Sequence, residues 1–96
     1  MDYNYPLRGD WSTEEIIEVT AFYVMIEKAY EEGVKREEVM DGYRKFKAIV
    51  PSKAEEKTLF KEFEQASGYS SYPIVKAARE ANDGEIIKGT SLKGKR

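Results

Sequence analysis

The sequence predicts an all-α fold, a compact bundle of about four short helices, and three observations carry that expectation. Apolar residues recur at steps of three and four along most of the chain. Helix-start and helix-stop residues punctuate those stripes at short intervals. The 96 residues contain neither cysteine nor histidine, so no disulfide or cysteine-held metal can staple the fold and apolar packing must hold it alone. A chain this long makes one domain with one modest core. Its 41% hydrophobic and 35% charged residues are too apolar for a disordered chain.

The first helix spans about residues 12–32. Ser12 caps it, Glu15 stands three positions on to complete a capping box, and Trp11 can pack on Ile16 as a hydrophobic staple. Ile16, Val19, Tyr23, Ile26 and Tyr30 form its apolar stripe, which Phe22, Met25 and Ala29 widen to about half the circumference. A face that broad belongs to a central helix with several neighbours. Gly33 ends it, since glycine adopts the left-handed conformation without a side-chain penalty.

The second helix, about residues 36–50, carries Val39, Tyr43, Phe46 and Val50 on one face, with Glu37 and Glu38 in the first turn. Gly42 lies inside it at a cost of about 1 kcal/mol relative to alanine, which the close approach of another helix backbone would explain. Pro51 stops this helix. Ser52, with Glu55 three positions on, starts a third over about residues 52–67, whose narrow stripe is Leu59, Phe60, Phe63 and Ala66. That stripe places the third helix on the outside of the bundle, and Gly68 ends it. The fourth, about residues 71–82, begins at a cap from Ser70 or Ser71, admits Pro73 in its first turn, and is expected to bury Ile74, Ala77, Ala78 and Ala81.

Residues 1–84 thus read as a single helical domain with an N-terminal arm, whose Tyr3, Tyr5 and Leu7 are expected to dock on the bundle. Residues 85–96 read as a flexible basic tail, with a short extended piece at Glu85–Lys88 as the alternative. The formal net charge is −2, with an acidic first third and a basic stretch from Lys35 to Lys61. No run approaches membrane-spanning length and no secretory leader is evident, so a cytoplasmic protein with no membrane partner is expected.

Three stretches carry a resemblance. YPLRGDWSTEEIIEV, EEGVKREEVMDGYRKFKAIVPSKAEEKTLFKEFE and SGYSSYPIVKAARE resemble UPF0223, a family of small uncharacterised proteins of Bacillus and its relatives. The likeness runs to about Glu80 and is most specific in IVPSKAEEK and SGYSSY. It implies a compact, all-helical cytoplasmic protein; it implies no activity and supplies no catalytic residue. Lys35 departs from the family pattern, in which a serine or similar cap is common before REE.

Without histidine and cysteine, imidazole acid–base chemistry and thiol nucleophiles are excluded, and no nucleophile elbow or phosphate loop is present. The carboxylate pairs Glu14/Glu18 and Glu27/Glu31 are one turn apart, but hard cations need more oxygen ligands in a formed cage. The expectation is a protein that is not an enzyme, has no cofactor, and acts as a protein-interaction or regulatory adaptor, with self-association open to it. Its candidate interaction surface is Tyr69, Ser70, Ser71, Tyr72, Lys76 and Arg79 at the start of the fourth helix, where free amides could also meet an anion. The alternative is nucleic-acid binding through Arg44, Lys45, Lys47, Lys53, Lys57 and Lys61, since lysines four apart share a helix face and could track phosphates. Interleaved glutamates and the acidic whole weigh against that alternative.

Overall fold

A computed structural model describes residues 5–89. Its first helix, α1 (Thr13–Glu31), opens on the reciprocal cap that the sequence implies. Ser12 Oγ accepts from the Glu15 amide at 3.2 Å, and Glu15 accepts from the Ser12 amide at 2.9 Å. At the other end Gly33 takes φ 95° and its amide returns to the Lys28 carbonyl. A two-residue strand, β1 (Val34–Lys35), leads directly into α2 (Arg36–Ile49), followed by α3 (Lys53–Ser67), α4 (Ser71–Glu80) and a second short strand, β2 (Ile86–Ile87). β1 and β2 pair antiparallel, Val34 opposite Ile87 and Lys35 opposite Ile86.

The core is aromatic and centred on α1. Phe22 stacks on Phe46 of α2 at 4.8 Å and on Phe60 of α3 at 5.8 Å, while Tyr23 stacks on Phe63 at 4.7 Å. Rings from three helices thus share one layer, the packing that a broad stripe on α1 implies. Val19, Ile26, Val39, Val50, Leu59 and Tyr30 are buried as the sequence indicates, while Ile16 and Tyr43 are only half-buried. Trp11 packs against the core from the margin. The arm docks: Tyr5 stacks on Tyr23 at 5.5 Å and donates to Glu27, and the buried Tyr23 hydroxyl donates to the Pro6 carbonyl at 3.0 Å. Leu7 stays exposed, and Tyr3 lies outside the described residues.

Four expectations need correction. On α4 the buried face is Ser71, Ile74, Val75 and Ala78, with Ala77 and Ala81 only half-buried; the helix is rotated so that branched Val75, rather than Ala77 or Ala81, is fully buried beside Ile74 and Ala78. Ser70 occupies the N-cap position without a side-chain cap bond, and the Ser71 hydroxyl is buried with no hydrogen-bond partner among the described residues, so neither serine caps α4. Gly42 does not admit another backbone: a Cβ there would meet Met25 Cε at 3.4 Å and Phe22 Cδ1 at 3.8 Å. Finally, the folded unit passes the boundary at residue 84. Ile87 is buried and Glu85 accepts from the Arg36 amide at 2.8 Å, so the extended alternative holds at Ile86–Ile87; the remainder of the tail, residues 90–96, lies outside the described residues.

That last contact also resolves the missing cap at Lys35, which makes no side-chain cap bond. The first amide of α2 takes its acceptor from the chain after α4 instead. Arg36 strengthens the junction by donating to the Ala78 carbonyl at 3.0 Å and pairing with Asp83 at 3.2 Å, and Glu37 accepts from the Gly84 amide at 2.6 Å. A guanidinium at the carbonyl end of α4 is placed where the helix dipole favours a cation.

Candidate functional site

α3 projects residues four apart on the same side, so Lys53, Lys57 and Lys61 form one row and Glu56, Phe60 and Glu64 the row beside it. Where α2 and α4 approach these rows the structure leaves a cleft of about 620 Å³, lined on α3 by both rows and closed by Tyr43, Tyr72 and Arg79, with Ser70 at its edge. Its wall is aromatic and its rim cationic. Phe60 is nearly buried, Tyr72 is 52% exposed, and the Arg79 guanidinium lies 5.8 Å from the centre of the Tyr43 ring, within reach of a cation–π contact.

The charges in the cleft are not equivalent. Glu56 is buried, and accepts from Lys47 Nζ at 2.7 Å and from the Tyr43 hydroxyl at 2.8 Å. Burial was unreadable from the sequence because both partners come from α2. Burial, helped by the Glu56 carboxylate and opposed by Arg79, pushes the Tyr43 phenol up to about 12, so at neutral pH it keeps the proton it donates. Lys53, Lys57 and Lys61, by contrast, make no ion pair or side-chain hydrogen bond among the described residues. With Glu56 already neutralised, Glu64 is the one acidic group of the lining without a cationic partner among the described residues, against three lysines unpaired there and Arg79.

The residues of the two surfaces read from the sequence can now be placed, and Ser71, fully buried in the first turn of α4, is presented on neither of them. From the first surface the cleft takes Ser70, Tyr72 and Arg79, while Lys76 is exposed outside it. Tyr69 turns the other way, stacking on Tyr30 at 4.8 Å and donating to Glu31 at 3.0 Å; it closes the end of the bundle. Ser70 contributes its carbonyl to the Tyr30 hydroxyl at 2.6 Å. From the second surface the cleft takes Lys53, Lys57 and Lys61. Arg44 and Lys45 both pair with Asp41 on their own helix, and Lys47 is held by Glu56. The pairing with Asp41 was readable from the three- and four-residue spacing. Tyr43, Glu56, Phe60 and Glu64 are the site residues that the sequence does not single out as such; its helical stripes place Tyr43 and Phe60 in the core.

The carboxylates considered for a cation are otherwise engaged or dispersed. Glu27 accepts from Tyr5 and Glu31 from Tyr69. Among the described residues no three acidic groups gather where a metal could be held. Burial, with Glu31 nearby, also raises the Glu27 carboxyl. No helix among the described residues is long and apolar enough to cross a membrane.

Comparison with known proteins places this architecture. The chain is 62% identical to a UPF0223 protein of Lysinibacillus sphaericus, over 92% of this chain and 93% of the relative. It is 60% identical to a UPF0223 protein of Oceanobacillus iheyensis, over 90% and 98%, and 54% identical to the UPF0223 protein YktA of Bacillus subtilis, over 90% and 98%. The family model matches residues 2–87, which takes in the arm, all four helices and β2. The chain belongs to the uncharacterised protein family UPF0223.

Proposed function

We propose that the protein is a non-enzymatic interaction module of the cytoplasm whose α2–α3–α4 cleft receives an acidic segment of another protein. One observation carries the reading: three unpaired lysines and Arg79 rim a concave aromatic surface in an otherwise acidic chain. Cations around a partly apolar cleft favour an anionic chain that also brings an apolar side chain, because the rim steers and the aromatic wall supplies contact area. Tyr72, half-exposed at the mouth, is the side chain best placed to be covered by such a guest. A duplex or single strand would call for a longer unbroken row of cations. Here Arg44, Lys45 and Lys47 are tied to carboxylates, which favours the shorter peptide guest.

The test is an amide-shift titration with a synthetic acidic peptide containing one phenylalanine, run beside a single-stranded oligonucleotide. The peptide is expected to move amides of residues 53–61 and 70–79, and Lys57→Glu with Lys61→Glu is expected to abolish the movement. Binding of the oligonucleotide in preference to the peptide would replace this reading with the nucleic-acid one. No movement with either ligand would remove the cleft as a binding site.

A further inference from the structure

α1 supplies six buried residues to the core, yet its outer side carries large apolar residues in water. Ile17 is 60% exposed and Val24 46%, and Ala21 between them is also exposed. Positions 17, 21 and 24 follow steps of four and three, the spacing of a helix seam that meets another helix. Two charged residues bracket this seam: Glu14 lies seven positions before Ala21 and Lys28 seven after it. Neither side chain has an ion-pair or hydrogen-bond partner among the described residues. The α2–α3–α4 cleft lies elsewhere and shares no residue with this face.

We propose that this face is a self-association surface, on which α1 of a second copy packs antiparallel about a two-fold axis at Ala21. The spacing selects both occupant and orientation. A two-fold axis at Ala21 sets Glu14 of each copy opposite Lys28 of the other and lays Ile17 beside Val24 of the second copy. Parallel pairing would instead oppose Glu14 to Glu14 and Lys28 to Lys28. The small side chain at the axis lets the two helices approach closely, and a self-complementary patch of this kind is what a two-fold contact requires. The seam is only about two helical turns long. A seam that short falls below the roughly 1,200 Å² of a stable complex, so a weak, reversible dimer is expected, with a dissociation constant on the order of 100 µM or weaker once the costs of association are met.

Sedimentation equilibrium at low salt, from about 20 µM to about 1 mM protein, is expected to show a monomer–dimer equilibrium. Lys28→Glu puts like charges at both ends of the seam and is expected to weaken it about tenfold; adding Glu14→Lys to that variant restores the pairing. Circular dichroism identical across the variants shows that these exposed changes leave the fold intact. Because the chain has no cysteine of its own, oxidation reads the register. Ala21→Cys is expected to form a disulfide dimer. Val24→Cys, whose counterparts stand about 9 Å apart along the axis, is expected not to. A wild-type protein that stays monomeric at the highest concentration overturns the proposal and leaves the face to a different partner. Equal dimerisation of wild type and Lys28→Glu, or cross-linking of Val24→Cys as readily as Ala21→Cys, overturns it as well.

Discussion

Gly42→Ala is expected to stabilise this protein, although the glycine sits at a helix–helix contact inside α2. Its backbone is ordinary: only Gly33, Gly68 and Gly84 have positive φ among the described residues, so alanine meets no conformational strain. Replacing glycine by alanine within a helix is worth about 1 kcal/mol, because the unfolded chain loses freedom and the helix gains a good former. The opposing effect is the contact made by the new methyl. Met25 Cε at 3.4 Å is the end of a flexible side chain, and Phe22 Cδ1 at 3.8 Å is ordinary van der Waals distance. Methionine has the rotatable bonds to yield a few tenths of an ångström, so the contact subtracts a fraction of the gain. The net is a stabilisation of about 0.5–1 kcal/mol, or a rise in Tm of roughly 2–8 °C for a domain of this size. Urea unfolding followed by circular dichroism reads the first quantity and calorimetry the second. A loss of more than about 0.5 kcal/mol would refute the reasoning, showing that Met25 and Phe22 are locked and that the glycine is required by packing.

Phe22→Ala removes a ring stacked on both Phe46 and Phe60 and is expected to cost about 3–5 kcal/mol. Lys57→Ala, on an exposed side chain, is expected to change stability by less than about 0.5 kcal/mol in the same urea assay. Ser71→Ala removes a buried hydroxyl without a partner among the described residues and is expected to raise the urea midpoint or leave it unchanged; a loss above about 1 kcal/mol would mean that the hydroxyl is satisfied. Burial raises the phenols of Tyr23, Tyr30 and Tyr43 above the ordinary value of 10.0. The neutral forms are thus favoured by folding, and their stabilisation is complete below pH 10 and lost as pH rises through the folded-state values. Urea midpoints are expected to fall steadily above about pH 10, with a shallower slope in Tyr23→Phe.

The helices were legible because their signals are local. Ser12 and Glu15 cap one another three residues apart, and Gly33 and Gly68 end helices by their own conformational freedom. The face of α4 is harder to draw because the sequence leaves the cap open between Ser70 and Ser71, and a serine that can serve as a cap is not counted toward the apolar face. Once Ser71 is counted as buried, Ser71, Ile74, Val75 and Ala78 follow the helical period. β1 and β2 offered no period at all, since two residues cannot display one and the partner strand lies far along the chain. The cleft was half-legible. Its lysine row is a spacing within α3, but the aromatic wall forms only when Tyr43 of α2 and Tyr72 of α4 come to line the same cleft as Phe60.

The clasp between the chain before α2 and the chain after α4 bears on the order in which the molecule assembles. α1 can start at its own cap, and the first turn of α3 at Ser52, without help from elsewhere. The Arg36 amide, by contrast, waits for Glu85, a partner that arrives only after the intervening segment has closed into a loop. Loop closure costs chain entropy before any contact repays it. The start of α2 is therefore expected to be among the last structure to lock during folding. It should also be among the first to open, with amide hydrogen exchange at Arg36 following the docking of β2 rather than the helicity of α2.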